Sequence, residues 1–113
     1  MSLDVYLTNP SCSKCGHSPD GYNDNITHNL TGMAGAAGIY EALWHPDRLD
    51  ITSAKQLIPL LEEGLRWLRK FPTEAASYDA ENGWGSSLDF IPFVERYVRA
   101  CRENPEATVS TCT

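Results

Sequence analysis

The most regular hydrophobic pattern in the chain repeats every three to four residues, and it appears twice. Over residues 53–71, Leu57, Ile58, Leu61, Leu65 and Leu68 form one apolar stripe, and Ser53 with Gln56 supplies a capping-box start. Over residues 87–104, Phe90, Ile91, Val94, Val98 and Cys101 form a second stripe. Each predicts an amphipathic helix. The charges between these positions, among them Glu62, Arg66 and Arg69 in the first stretch and Glu95, Arg99 and Arg102 in the second, read as solvated faces with some i,i+4 pairing.

The two stretches resemble each other at a shift of 33 residues. The shift aligns Ser53 with Ser86, Ile58 with Ile91, Pro59 with Pro92 and Glu62 with Glu95. It also aligns Arg66 with Arg99, Arg69 with Arg102 and Pro72 with Pro105, giving seven identities in twenty positions. Each helix carries its proline early, where one lost hydrogen bond is tolerated as a bend or a frayed start. An internal repeat and convergence of two amphipathic patterns both account for the match, and two copies fall short of a solenoid.

The remaining patterns are shorter. Residues 1–10 alternate, with Leu3, Val5 and Leu7 on one face, and predict a half-buried strand ended by Asn9-Pro10. Residues 11–26 are rich in Gly, Pro, Asn, Asp and Ser and read as a loop. Residues 27–45 carry Leu30, Met33, Ala37 and Trp44 at helical spacing, closed by His45-Pro46. The middle of that stretch is glycine- and alanine-rich, and each helical glycine costs about 1 kcal/mol, so this helix needs a close-packed neighbour. Residues 79–86 form a Gly-containing loop, and residues 107–112 alternate with β-branched side chains. This last segment is expected to pair with the N-terminal strand and bring Cys112 toward the Cys12 loop. The expectation is an α+β fold, mostly helical, with three main helices.

Composition narrows the classes. At 113 residues with 42% hydrophobic and 10% aromatic side chains, the chain suits a single packed domain. A net charge of −6 repels polyanions, so duplex nucleic acid is not an expected partner, whereas one small anion needs only a few aimed donors. The longest uncharged apolar stretch, residues 33–40, is far below the roughly 20 residues of a membrane span. The start of the chain lacks a basic n-region and a long apolar h-region, so a cytoplasmic protein is expected.

Three loops carry the chemically loaded residues. Cys12-Ser13-Lys14-Cys15-Gly16 has the form of a zinc knuckle, with two thiolates spaced for one ion and a glycine for the return turn. His17 and His28 are the nearest residues to complete a tetrahedral structural zinc site, with Cys112 as an outside choice. A free thiol pair, a local disulfide and a redox role are the other readings, the last weakened by the absence of a strand-to-helix context.

Asn25, Thr27, His28 and Asn29 gather polar side chains at a predicted helix N-terminus, where exposed amides and the dipole favour anions. Asn82, Trp84 and Ser86 lie in the second loop, where glycines permit close backbone approach and an indole offers a stacking face. Turn formation, helix capping and packing of Trp84 onto the core are the plainer account of that loop, which lacks the lysine of a phosphate-binding P-loop.

Asn25-Ile26-Thr27-His28-Asn29-Leu30 with Met33, Ala37-Gly38-Ile39-Tyr40, Leu43-Trp44 with Pro46, and Asn82-Gly83-Trp84-Gly85 together resemble a family of short open reading frames of bacteriophages and some bacteria. The resemblance spans most of the chain. It implies an accessory role in the host cytoplasm, such as blocking a defence by binding a host protein or sequestering a nucleotide signal, and a protein working alone or as a small homo-oligomer. That family has no assigned mechanism, so no catalytic residue follows from it.

The leading expectation is a non-enzymatic binding protein for a small anionic, nucleotide-like ligand held between residues 25–29 and 82–87. A zinc-braced interaction module acting on a host protein is the first alternative. A metal-dependent hydrolase built on His17, His28 and the cysteines, with a water nucleophile, is the second.

Overall fold

The computed structural model describes residues 2–8, 22–78 and 86–112. Three strands, β1 (Ser2–Thr8), β2 (Tyr22–Thr27) and β3 (Thr108–Cys112), form an antiparallel sheet in the order β2-β1-β3. Five helices accompany them: α1 (Thr31–Ala36), α2 (Tyr40–Trp44), α3 (Ala54–Lys70), α4 (Pro72–Ala76) and α5 (Ser87–Glu103). The fold is α+β with helix predominating, and the C-terminal strand pairs with the N-terminal one as the alternation implied. Among the described residues no helix is long and apolar enough to cross a membrane.

The sheet is one-sided. Leu3, Val5 and Leu7 of β1 are fully buried, and opposite them stand Ile26, Asp24 and Tyr22 of β2. The other face carries Asp4, Tyr6 and Thr8 with Asn23 and Asn25, and it is polar and largely exposed. Residues 22–27 therefore form an edge strand, where a loop had been expected. Only Tyr22 and Ile26 mark the inward face by hydrophobicity, because the residue between them, Asp24, is a charge that faces inward. The period of two is present and its middle position disguises it.

Residues 27–45 form two short helices, in contrast to the single helix that their spacing predicts. Gly38 adopts φ +79, in the left-handed region. The Gly38 amide donates to Gly35 O at 3.1 Å and the Ile39 amide to Ala34 O at 2.9 Å. These two bonds form a Schellman stop, with glycine at the position that needs left-handed backbone and an apolar residue directly after it. Ile39 then packs onto the backbone of α3, since a methyl at Gly64 would lie 2.5 Å from Ile39 Cγ2. The close contact with α3 is thus made by Ile39, the residue that follows the end of this segment's first helix.

Helices α3 and α5 are 17 residues each, and both their first and last residues are 33 apart. Both begin after an extended serine, Ser53 or Ser86. Both end with the same backbone bond, Phe71 N–H to Trp67 O and Asn104 N–H to Ala100 O, each 2.9 Å. Five buried positions coincide as well, Leu57 with Phe90, Leu61 with Val94, Gly64 with Tyr97, Leu65 with Val98 and Leu68 with Cys101, whereas Ala54, Phe93 and Ala100 are buried in one helix only. The likeness read at a shift of 33 thus extends to helix length, helix ends and burial. At the start of α3, Gln56 Oε1 accepts the Ser53 amide at 3.0 Å, the return half of the capping box. The Ala54 and Lys55 amides donate to Ala107 O and Pro105 O, so two N-terminal donors of α3 are met by the chain leaving α5.

The core joins the inner sheet face, α1, α2 and the inner stripes of α3 and α5 in one cluster. Each fully buried leucine contributes about 1.5–3 kcal/mol by removal from water. The ion pairs of the helix surfaces contribute about 0–1 kcal/mol each and so do not decide the fold.

Replacing Gly64 with alanine is expected to destabilise the protein by about 1–3 kcal/mol, because Ile39 must shift to admit the new methyl. Gly35→Ala is the control, since nothing lies within 4 Å of its Cβ position, and it should stabilise by up to about 1 kcal/mol. Urea unfolding of the two variants reads the contrast, and equal behaviour would remove the Ile39 contact from this account.

Candidate functional site

Cys12, Cys15, His17, Asn82 and Trp84 lie outside the described residues. His28 opens a 3-10 turn, His28–Leu30, directly after β2. Among the described residues no group of three His, Cys, Asp or Glu side chains could hold a metal ion. Cys112 pairs with Asp4, whereas residues 9–21 join the sheet at Thr8 and Tyr22, beside Thr108 and Leu7 respectively. Strand pairing thus sets Thr108 beside Thr8, the last residue of β1. Cys112 sits four residues away along β1, about 13 Å at the usual strand rise.

The structure assigns Asn25 and Thr27 to a strand, where a helix N-terminus had been expected. Asn25 points to the outer, polar face of the sheet, and its Nδ2 donates to Ser2 Oγ at 2.9 Å and to Asp4 Oδ1 at 2.6 Å. Thr27 Oγ1 accepts the Asn29 amide at 3.3 Å, a local turn contact. Ser86 precedes α5 and its hydroxyl donates to Asp89 Oδ2 at 3.3 Å. Asn25 therefore faces away from the sheet side on which α5 packs, and the structure does not gather it with Ser86 around one cavity.

The inward-facing member of β2 has a different role. Asp24 Oδ2 accepts the Tyr22 hydroxyl at 2.7 Å and Arg96 Nε of α5 at 2.8 Å. Tyr22 stacks on Tyr97 of α5 with ring centroids 5.9 Å apart. Burial works against ionisation of Asp24, but hydrogen bonds from Arg96, Tyr22 and the Asn25 amide outweigh it and hold the carboxyl below its usual value of 3.8. Burial pushes the Tyr22 phenol up, reinforced by the Asp24 carboxylate. Burial likewise pushes the Cys101 thiol up to about 12, which leaves it unreactive. The Tyr22–Asp24–Arg96 group fastens an edge strand to a helix, and its groups serve one another.

A second group of charges is arranged differently. Between α3 and α5 lies a groove of about 510 Å³, floored by Leu65 and Val98. Its walls carry Glu62, Arg66 and Arg69 from α3 and Glu95, Arg99 and Arg102 from α5. Every lining residue has its partner at a shift of 33. Arg102 bonds Glu62, and Arg69 bonds Glu95 at 3.4 Å, so the start of one groove wall meets the end of the other. The helices are therefore antiparallel, and exchanging them by the 33-residue shift turns one ion pair into the other. This is a local two-fold arrangement with Arg66 and Arg99 at equivalent places near its centre. Neither of these two makes an ion pair with a described carboxylate.

The groove gathers four of the chain's six arginines against two glutamates in a protein whose net charge is −6. Sequence reading had placed these arginines on solvated faces with i,i+4 partners, but the ion pairs run between helices. The signal that locates them was the 33-residue shift combined with antiparallel packing.

Because the Asp24 carboxyl titrates lower in the folded chain, its contribution is complete above the unfolded value and disappears as pH falls below it. Asp24→Asn should flatten the loss of stability below about pH 4 and cost about 1 kcal/mol at neutral pH. Thermal unfolding followed from pH 2 to pH 7 checks both; an unchanged acid limb would deny Asp24 this role.

No family model, curated protein or solved structure matches the chain, so a functional reading rests on the groove and its arginines.

Proposed function

We propose that this protein binds a small anionic ligand in the α3–α5 groove without catalysing a reaction. The observation that carries the reading is the pair Arg66 and Arg99, two guanidiniums beside a concave site with no described carboxylate as partner. Arginine presents a planar fork suited to phosphate or carboxylate oxygens. The neighbouring Arg69–Glu95 and Arg102–Glu62 pairs are exposed and add little stability, but they hold the outer side chains at the groove ends. A volume of about 510 Å³ falls within the range of small-molecule sites. The acidic remainder of the molecule disfavours long polyanions while four local arginines favour a compact anion. In the phage-type setting that the sequence resembles, the role we assign is sequestration of such a ligand in the host cytoplasm.

Calorimetric titration of pyrophosphate into the protein at low salt tests the site. Arg66→Gln with Arg99→Gln should weaken binding by at least about tenfold while changing stability by no more than about 0.5 kcal/mol, since both side chains are on the surface. Binding should also weaken as salt rises. Unaltered affinity in the double variant would move the ligand elsewhere.

The Cys12–Cys15 pair is independent of the groove, and for it we retain the proposal of a structural zinc, supported by the Cys-x-x-Cys-Gly spacing. Elemental analysis of the purified protein should find one zinc per chain, lost together with several degrees of thermal stability in Cys12→Ser and Cys15→Ser. Metal-free protein of full stability would end this proposal.

A further inference from the structure

We infer that the ligand carries two phosphoryl groups on a hydroxyl-bearing spacer, as a sugar bisphosphate does; this rests on the groove being the binding site. Three observations on the groove converge on that class. The first is its symmetry. Arg66 and Arg99 occupy equivalent positions, and so do the two outer Arg–Glu pairs, so the groove consists of two like half-sites facing one floor. A ligand with two anionic groups engages both, and the second contact becomes intramolecular.

The second observation is the pair of carboxylates. An all-arginine groove would suit a bare polyphosphate, but Glu62 and Glu95 stand at the two ends. Each carboxylate is bonded by one arginine and retains acceptor positions, which hydroxyl groups of a ligand satisfy and phosphate oxygens do not. Donors and acceptors thus alternate across the site in a way that matches phosphates joined through an alcohol-rich body.

The third is the floor. Leu65 and Val98 are aliphatic, and no aromatic side chain lines the groove among the described residues. A nucleobase is ordinarily held by stacking on an aromatic or guanidinium plane. Here the guanidiniums are needed for the phosphates or are held by Glu62 and Glu95. The groove therefore favours recognition through phosphates and hydroxyls over recognition through a base, which changes the nucleotide-like ligand expected from Trp84 into a sugar-phosphate one.

Three probes separate the parts of this inference in calorimetric titrations of the full chain: fructose 1,6-bisphosphate, fructose 6-phosphate and ADP. The bisphosphate should bind at least about tenfold more tightly than the monophosphate. Arg66→Gln and Arg99→Gln should each weaken the bisphosphate to a similar extent, and the corresponding lysine variants should fall between wild type and glutamine because they keep charge and lose the fork. Circular dichroism of each variant confirms that the helices persist. Equal affinity for monophosphate and bisphosphate, or sensitivity at only one of the two arginines, would overturn the two-half-site inference while leaving an anion groove standing. Tighter binding of ADP than of the bisphosphate would overturn the hydroxyl-bearing spacer in favour of a nucleotide. No binding of these three probes or of pyrophosphate would overturn the groove as a ligand site altogether.

Discussion

The antiparallel packing of α3 against α5 is the contact on which the other elements depend. Leu57, Leu61, Leu65 and Leu68 meet a core whose other wall includes Phe90, Val94, Val98 and Cys101, and these side chains are buried almost completely. Removal of that much apolar surface from water outweighs every exposed ion pair in the molecule. Because the two helices have the same length, equivalent ends and five buried positions in common, packing them antiparallel gives a seam with local two-fold character. Any pattern shared by the two outer faces then becomes a symmetric surface feature, and the arginines are such a pattern.

The sheet and the short helices close the remaining sides of this helix pair. Its one-sided face contributes Leu3, Val5 and Leu7, while the edge strand β2 brings few apolar groups and is held instead by Asp24 bonded to Arg96 and by Tyr22 stacked on Tyr97. On the α3 side, Gly38 ends α1 so that Ile39 drops onto Gly64, and the missing side chain at Gly64 sets how close the two segments come. The equivalent position in α5 is Tyr97, so one place in the repeated pattern serves as a notch in one helix and as a platform in the other.

Charge is distributed to match. The molecule is acidic as a whole, and its arginines are concentrated on the outer side of the α3–α5 seam. Exposed cross-helix pairs at the groove ends restrain the outer guanidiniums with little effect on stability, and Arg66 and Arg99 are left facing the groove. The polar cluster around Asp24 differs in kind: its carboxylate accepts from both Tyr22 and Arg96, which suits fastening a strand to a helix.

By itself the sequence determined the features that depend on neighbours three or four residues apart, or two apart along a strand. Helices α3 and α5, the capping at Ser53 with Gln56, the inward face of β1 and the strand at the C-terminus were legible because periodicity reports burial directly. The register of the repeat was legible too, from Pro59 and Pro92 and from the aligned arginines. Tertiary structure alone decided what depends on partners distant in the chain. Strand β2 was hidden because Asp24, on its inner face, is tolerated only through Arg96, 72 residues away. The break at Gly38 read as helix because a glycine in a periodic run looks the same whether it continues the helix or reverses the backbone. The groove was invisible residue by residue, since an exposed arginine on a helix has the same local pattern whatever faces it. Only antiparallel packing brought the two sets of arginines to one place, along the seam between the helices.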